Sequence, residues 1–232
     1  MSRLSLFVFF RELQSSGPAN PDEILAIEAL LRDIPGLSAA MIYTPAPLDE
    51  QQPYSADGPP PPLALQLDFG DIALLEAALM RNGRLHELND PERFPRLSGS
   101  RVEHQVMLAR PFRVLQTKAS ACTFLVAYPG PALNLPDWLA YYLRSHTAIM
   151  LKFPGLRALD VYSRVDWTSE LPWRRMDAIQ RNKVVFDDLR ALSAALASSV
   201  LEELREDVRH APPVEGSSVH YPMQTRYINH SS

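Results

Sequence analysis

Three short signposts occur twice in this chain, in the same order and at nearly constant separation. Ile34-Pro35-Gly36-Leu37 leads to Tyr43, and Phe153-Pro154-Gly155-Leu156 leads to Tyr162, with the same eight-residue step from proline to tyrosine. Phe69-Gly70-Asp71-Ile72 runs into Leu75 and Ala77-Ala78-Leu79; its echo, Phe186-Asp187-Asp188-Leu189, runs into Leu192 and Ala194-Ala195-Leu196. His104-x-x-Met107-x-x-Arg110 returns as His220-x-x-Met223-x-x-Arg226. The separations are 119, 117 and 116 residues. One such match means little, but three in register predict a duplicated unit. The expected halves are residues 1–115 and 116–232, each long enough to bury a core.

Within the first half, Leu4–Leu13 has the Phe and Val content of a strand. Asn20-Pro21-Asp22-Glu23 starts a helix: Asn20 can cap, proline suits the first helical position, and the acids complement the helix dipole. Ile24, Ile27, Leu30 and Leu31 continue at helical spacing, and Pro35-Gly36 ends the run before a strand over 37–43. Residues 44–62 carry seven prolines and predict a mobile excursion, since proline cannot serve a central strand. A strand over 63–69, a helix over 71–80 and a strand over 102–112 complete the unit. The second half repeats the order: strand 122–128, helix 136–153, strands 156–167 and 176–186, helix 188–210 and strand 218–228. The resulting β-α-β-β-α-β order is ferredoxin-like. Two such open sheets each leave a bare face, so the expected architecture is α+β, two tandem ferredoxin-like repeats packed sheet to sheet as one barrel.

Composition narrows the partners. A net charge of −4 argues against nucleic acid, whose phosphates need a basic face. The single cysteine, Cys122, excludes an intrachain disulfide and fits a reducing compartment; in a strand-like run it reads as a buried thiol. The apolar stretch at 1–10 is too short to span a bilayer and lacks a small-residue cleavage site, so a cytoplasmic protein with no membrane partner is expected. Dinucleotide and phosphate loops, paired-cysteine and helical metal-ligand spacings and the Gly-x-Ser-x-Gly elbow are missing, which predicts no cofactor and no metal.

Leu139-Ala140-Tyr141-Tyr142-Leu143-Arg144-Ser145-His146-Thr147-Ala148, followed by Phe153-Pro154-Gly155-Leu156, resembles the EthD-like group of the dimeric α+β barrel superfamily. The pattern is an aromatic residue, a histidine four positions on, then a Pro-Gly-Leu turn into the second strand. It covers 122–186 well and the first half more faintly, where Glu23 and Ile27 stand at the positions of Tyr142 and His146. Family members usually assemble the barrel from two chains, so the resemblance implies an in-chain fusion, as a monomer or a homodimer. It also links the chain to catabolic and polyketide-type functions, without specifying a reaction.

Tyr142 and His146 share one helical face, and an imidazole titrating near neutrality suits a general acid or base with the phenol as donor. The alternative is a histidine satisfied by a backbone carbonyl at the helix–sheet seam. His104 with Arg110, and His220 with Arg226, lie six apart on strands and so face one way; each pair could anchor and protonate an anionic ligand, or tie the halves together. Trp173, in the loop spanning Asp166-Trp167 to Asp177, could stack on an aromatic ligand or close the barrel end. These residues lead to an expected cofactor-independent enzyme that moves protons on a small aromatic or carboxylated catabolic intermediate, of isomerase, cyclase, decarboxylase or lyase type. His146 and Tyr142 would be catalytic, and His104, Arg110, His220, Arg226 and Trp173 substrate-binding. A non-catalytic small-molecule binder or accessory protein is the alternative; a haem protein ligated through His146 is the least favoured reading.

Overall fold

The computed structural model describes residues 3–13, 19–47, 54, 57–115 and 120–228. Its strands are β1 (Arg3–Glu12), β2 (Leu37–Pro45), β3 (Leu63–Phe69), β4 (Arg101–Val114), β5 (Ser120–Tyr128), β6 (Ala158–Arg164), the two-residue β7 (Arg174–Arg175), β8 (Gln180–Phe186) and β9 (Val219–Ile228). The α-helices are α1 (Pro21–Arg32), α2 (Ile72–Leu79), α3 (Leu135–Tyr141), α4 (Thr147–Met150), α5 (Leu189–Leu196) and α6 (Ser199–His210). Round the sheet the order is β4-β1-β3-β2 from the N-terminal half and β9-β5-β8-β6 from the C-terminal half. Pairing of β2 with β9 and of β4 with β6 closes an eight-stranded antiparallel barrel. Closure leaves no open edge for another chain to extend.

The alternating strands explain the layers. In β3, Leu63, Leu65, Leu67 and Phe69 face α1 and α2, while Ala64, Gln66 and Asp68 face the barrel interior. In β8, Val184 and Phe186 pack under the C-terminal helices, and Arg181 and Lys183 point inward. Both strands are therefore buried along their whole length. The capping box of Asn20 and Glu23 starts α1 as its residues predict, and Gly36 ends that segment at φ 75°; a side chain there would strike Leu74 of α2.

Several expected elements are cut shorter. The strand expected over 156–167 ends at Arg164, and its neighbour begins at Gln180 rather than Met176, because 165–173 forms a loop that buries Trp167 and Trp173 under the N-terminal half. The helix expected over 188–210 breaks at Ala197-Ser198, where the Ser198 hydroxyl donates to the Ala195 carbonyl and the chain turns extended before α6. Pro111, without an amide hydrogen, sits at an irregularity in the β4–β6 register. Of the proline-rich excursion, 48–53, 55 and 56 lie outside the described residues, and so does the expectation of mobility there.

The barrel interior is not simply apolar. Around Phe7, Phe9, Met41 and Met107 runs a polar network contributed by both halves. Lys183 Nζ meets Asp160 Oδ2 at 2.8 Å, and Arg3 meets Asp160 at 2.7 Å and Asp68 at 3.7 Å. Ser5 and Gln66 donate to Asp68, Tyr43 donates to Gln66, and the Gln66 amide donates to the Tyr162 hydroxyl at 3.0 Å. Burial alone would raise the Asp160 pKa, but Lys183 and Arg3 hold it below the usual carboxylate range. Breaking a buried pair strands a charge, which costs about 3–5 kcal/mol. Lys183→Met should therefore lower the unfolding free energy by about that amount in urea titrations; a loss below about 1 kcal/mol would show that the network does not bind the halves.

Candidate functional site

The first helix of the C-terminal half is continuous from Leu135 to Met150, but residues Tyr142–His146 form a π turn between α3 and α4. Such turns are uncommon and cluster at functional sites. Here Tyr141, Ser145 and His146 converge on a single carboxylate, Asp207 of α6. The Tyr141 hydroxyl donates to Oδ1 at 2.9 Å and the Ser145 hydroxyl at 2.5 Å, while His146 Nδ1 meets Oδ2 at 2.7 Å. These hydrogen bonds outweigh burial and keep Asp207 ionised below the usual carboxylate range. An ionised Asp207 fixes the imidazole tautomer with the proton on Nδ1, leaving an Nε2 lone pair with no protein partner among the described residues.

His146 stacks beside Tyr142, ring centroids 4.5 Å apart. The Tyr142 hydroxyl accepts from Asn182 Nδ2 at 2.6 Å and lies 3.1 Å from the Tyr128 hydroxyl. Burial pushes the Tyr142 phenol well above its ordinary pKa, so it stays protonated. Burial likewise lowers the His146 pKa, with Asp207 opposing, so the ring is neutral at neutral pH. A neutral base and a neutral phenol thus stand side by side on one wall of a cavity.

That cavity, of about 330 Å³, lies between the C-terminal sheet and its helices, walled by Phe124, Val126, Phe153, Leu201 and Leu204. A second histidine closes it. His220 of β9 joins Asp57 through Nδ1 at 2.6 Å, and the same carboxylate oxygen accepts the His220 amide at 2.9 Å. Tyr54 stacks on the His220 ring at 3.8 Å. Tyr54 holds a left-handed φ of 74°, a conformation costly for a non-glycine residue. Both residues belong to the proline-rich segment of the N-terminal half. The N-terminal half thus supplies part of the cavity wall.

The other expected site residues lie elsewhere. His104 is fully buried against Trp167 and Trp173; its Nδ1 pairs with the Arg174 carbonyl at 3.2 Å and its Nε2 with the Ser169 hydroxyl at 3.1 Å. Burial pushes its pKa down to about 4, and both nitrogens are spent. Trp173 donates to Asn89 at 2.8 Å and packs in the N-terminal core rather than at a mouth. Arg110 bonds Ser163 across the β4–β6 seam, and Arg226 pairs with Glu28 of α1. The repeated His–Arg pairs therefore do not converge on one ligand. Arg226 and Cys122 border a larger groove of about 550 Å³ along the β2–β9 side, but no histidine lines it. Burial raises the Cys122 thiol to about 12, which removes it as a nucleophile. No cluster of metal-ligating side chains occurs among the described residues.

Sequence inspection missed Asp207, Asn182, Tyr128, Tyr54 and Asp57. Two carried a signal. Asp207 continues the apolar stripe Val200-Leu204 at helical spacing, and Asn182 shares the outward parity of Val184 and Phe186; each is a polar residue on a core-facing position.

No protein-family model matches the chain, and no curated protein matches it. Solved structures do. An anthrone oxidase-like protein superimposes with a TM-score of 0.60 at 13% identity, covering 98% of this chain and 94% of that one. A monooxygenase-like protein from Fusobacterium nucleatum gives 0.57 at 9% identity, covering 98% and 94%. An EthD-family protein from Bacillus halodurans aligns with 42% of this chain and 97% of its own at 18% identity; its TM-score of 0.33 carries no argument. This likeness establishes the fold alone.

Three histidines with lowered pKa values, two of them buried and His220 half-buried, fix the sign of the pH response. The unfolded chain protonates them near pH 6.5, whereas the folded chain resists until lower pH, so acidification favours unfolding. Unfolding free energy should fall as pH drops below about 6.5, by up to about 1.4 kcal/mol per pH unit for each such proton, with the His104 contribution continuing to about pH 4. Nitrogen-15 spectra should show His146 neutral with Nε2 unprotonated at pH 7, and Asp207→Asn should shift its titration further toward acid. A His146 cation at neutral pH would contradict the tautomer assigned above.

Proposed function

We propose that the chain is a tandem of two ferredoxin-like units, 1–115 and 116–232, fused into one α+β barrel, and that its C-terminal cavity performs cofactor-independent proton transfer on a small aromatic molecule. The repeated strand order in the two halves, together with the repeated Pro-Gly turns at Gly36 and Gly155, supports the tandem arrangement. At the position of His146 the N-terminal half has Ile27, fully buried in its core, which fits one working site and one structural half.

The observation that carries the chemistry is the Asp207–His146 pair beside Tyr142 in a cavity lined by rings and aliphatic chains. His146 Nε2 takes a proton from an acidic C–H or O–H of the ligand, and Asp207 stabilises the imidazolium that forms. The Tyr142 hydroxyl, kept protonated and braced by Asn182, donates to the oxygen on which negative charge accumulates. Aromatic walls exclude water and hold a planar ligand against the base. Among the described residues Arg205 is the one Lys or Arg on the lining, which favours an enolate- or phenolate-forming substrate over a strongly anionic one. The anthrone oxidase-like and monooxygenase-like neighbours are compatible with small-molecule processing on this fold.

The test is solvent-deuterium incorporation into a panel of small phenols, 1,3-diketones and aromatic keto acids, followed by proton NMR. Wild type should accelerate exchange at the acidic carbon of at least one class. His146→Gln should reduce that rate by about 10²–10⁴-fold while the melting temperature stays near wild type, with a smaller loss for Tyr142→Phe. Binding of panel members without exchange would replace catalysis by a carrier or accessory role.

A further inference from the structure

One end of the barrel, where β1 and β5 finish and β8 and β9 begin, opens into a separate pocket of about 350 Å³. Its chemistry is set by Arg181. This side chain is 4% exposed, yet among the described residues its guanidinium finds no oxygen acceptor. Its one hydrogen bond goes to the Met176 sulfur at 3.3 Å, and Nε is buried with no partner. The flat face of the cation rests on Phe9, 4.7 Å from the ring centroid. Thioether and ring are weak substitutes for water or a carboxylate, and a buried charge without a counter-ion is costly.

The neighbours deepen the deficit. Arg11 stacks on the same Phe9 ring at 5.0 Å and on Tyr221 at 5.5 Å, so two guanidinium groups adjoin one aromatic ring. Arg174 closes the same pocket. Against these three cations stands Glu103, already engaged by Arg11 at 2.8 Å and Arg174 at 3.3 Å. Asp177, also on the rim, accepts from one Arg164 nitrogen, Nη1, at both carboxylate oxygens. Burial, followed by repulsion from Arg11, lowers the Arg181 pKa to about 9 against the opposing pull of Glu103 and Tyr221.

We infer that this barrel mouth is a binding site for a compact oxyanion, a carboxylate or a phosphate group, received by Arg181 with Arg11 and Arg174 at its rim. Guanidinium is suited to the task because its planar fork can give two parallel hydrogen bonds to either group. The site is distinct from the His146 cavity, which lies on the opposite, helix-covered face of the sheet. Its occupant would bridge strands of both halves, since Arg11 belongs to β1 and Arg181 to β8.

The probes are inorganic phosphate and benzoate, with chloride at matched ionic strength as control. In wild type, each probe should raise the melting temperature in a saturable manner and shift the Arg181 Nε–H signal in nitrogen-15 spectra, with chloride doing neither. Arg181→Met should melt higher than wild type without added anion and lose at least tenfold in affinity for both probes. Arg181→Lys, keeping the charge without the fork, should bind either probe more weakly than wild type. His146→Gln should leave both responses unchanged, which separates this site from the proton-transfer cavity. Phosphate response without a benzoate response would restrict the ligand to phosphoryl groups, within the inference. Chloride-like shifts only, or full retention of binding by Arg181→Met, would overturn it.

Discussion

The constraint on which the rest of this structure depends is closure of the sheet by two junctions between the halves. Where β2 meets β9 and β4 meets β6, each half hands its edge strand to the other, and every strand of the barrel then has partners on both sides. Closure has a consequence for the interior. Once the inner faces are sealed, polar side chains placed there must satisfy each other, and they do so across the halves: Arg3 and Asp68 from one, Asp160, Tyr162 and Lys183 from the other. The charges balance two against two at this end of the barrel. At the mouth containing Arg181 they do not, and that contrast separates a self-satisfied joint from a surface built to receive something.

The outer faces serve different ends in the two halves. Under the N-terminal helices the packing is dense and nearly all apolar, with His104 a neutral spacer between two tryptophans. Under the C-terminal helices the same layer is interrupted by Tyr142, His146 and Asn182, whose polar groups are organised by a carboxylate from α6 and a tyrosine from β5. The π turn sets this region apart from the first helix of the other half, since Ser145 and His146 within it and Tyr141 just before it all meet one aspartate.

Much of the architecture was legible in the residues because strand parity and helix caps act locally. Asn20-Pro21-Asp22-Glu23, the two Pro-Gly turns and the alternation in 63–69 each dictate their own conformation whatever surrounds them. The catalytic part of the candidate site was legible where it is local too: Tyr142 and His146 are four apart on one helix. Asp207 lies 61 residues from its partner and Asp57 lies 163 from His220, distances over which no periodicity speaks. Of the His–Arg pairs, His220 alone lines the cavity. Equal spacing on a strand guarantees a shared face, but that face meets a different neighbour at each end, so His104 meets tryptophans while Arg110 meets a serine.

Tyr54 and Asp57 are encoded in one half and complete the chamber of the other. Such an arrangement makes the two segments interdependent: the C-terminal chamber keeps its full wall only while the N-terminal half is folded against it. A chain cut at the midpoint would therefore yield one fragment with no chamber and one whose chamber lacks a side.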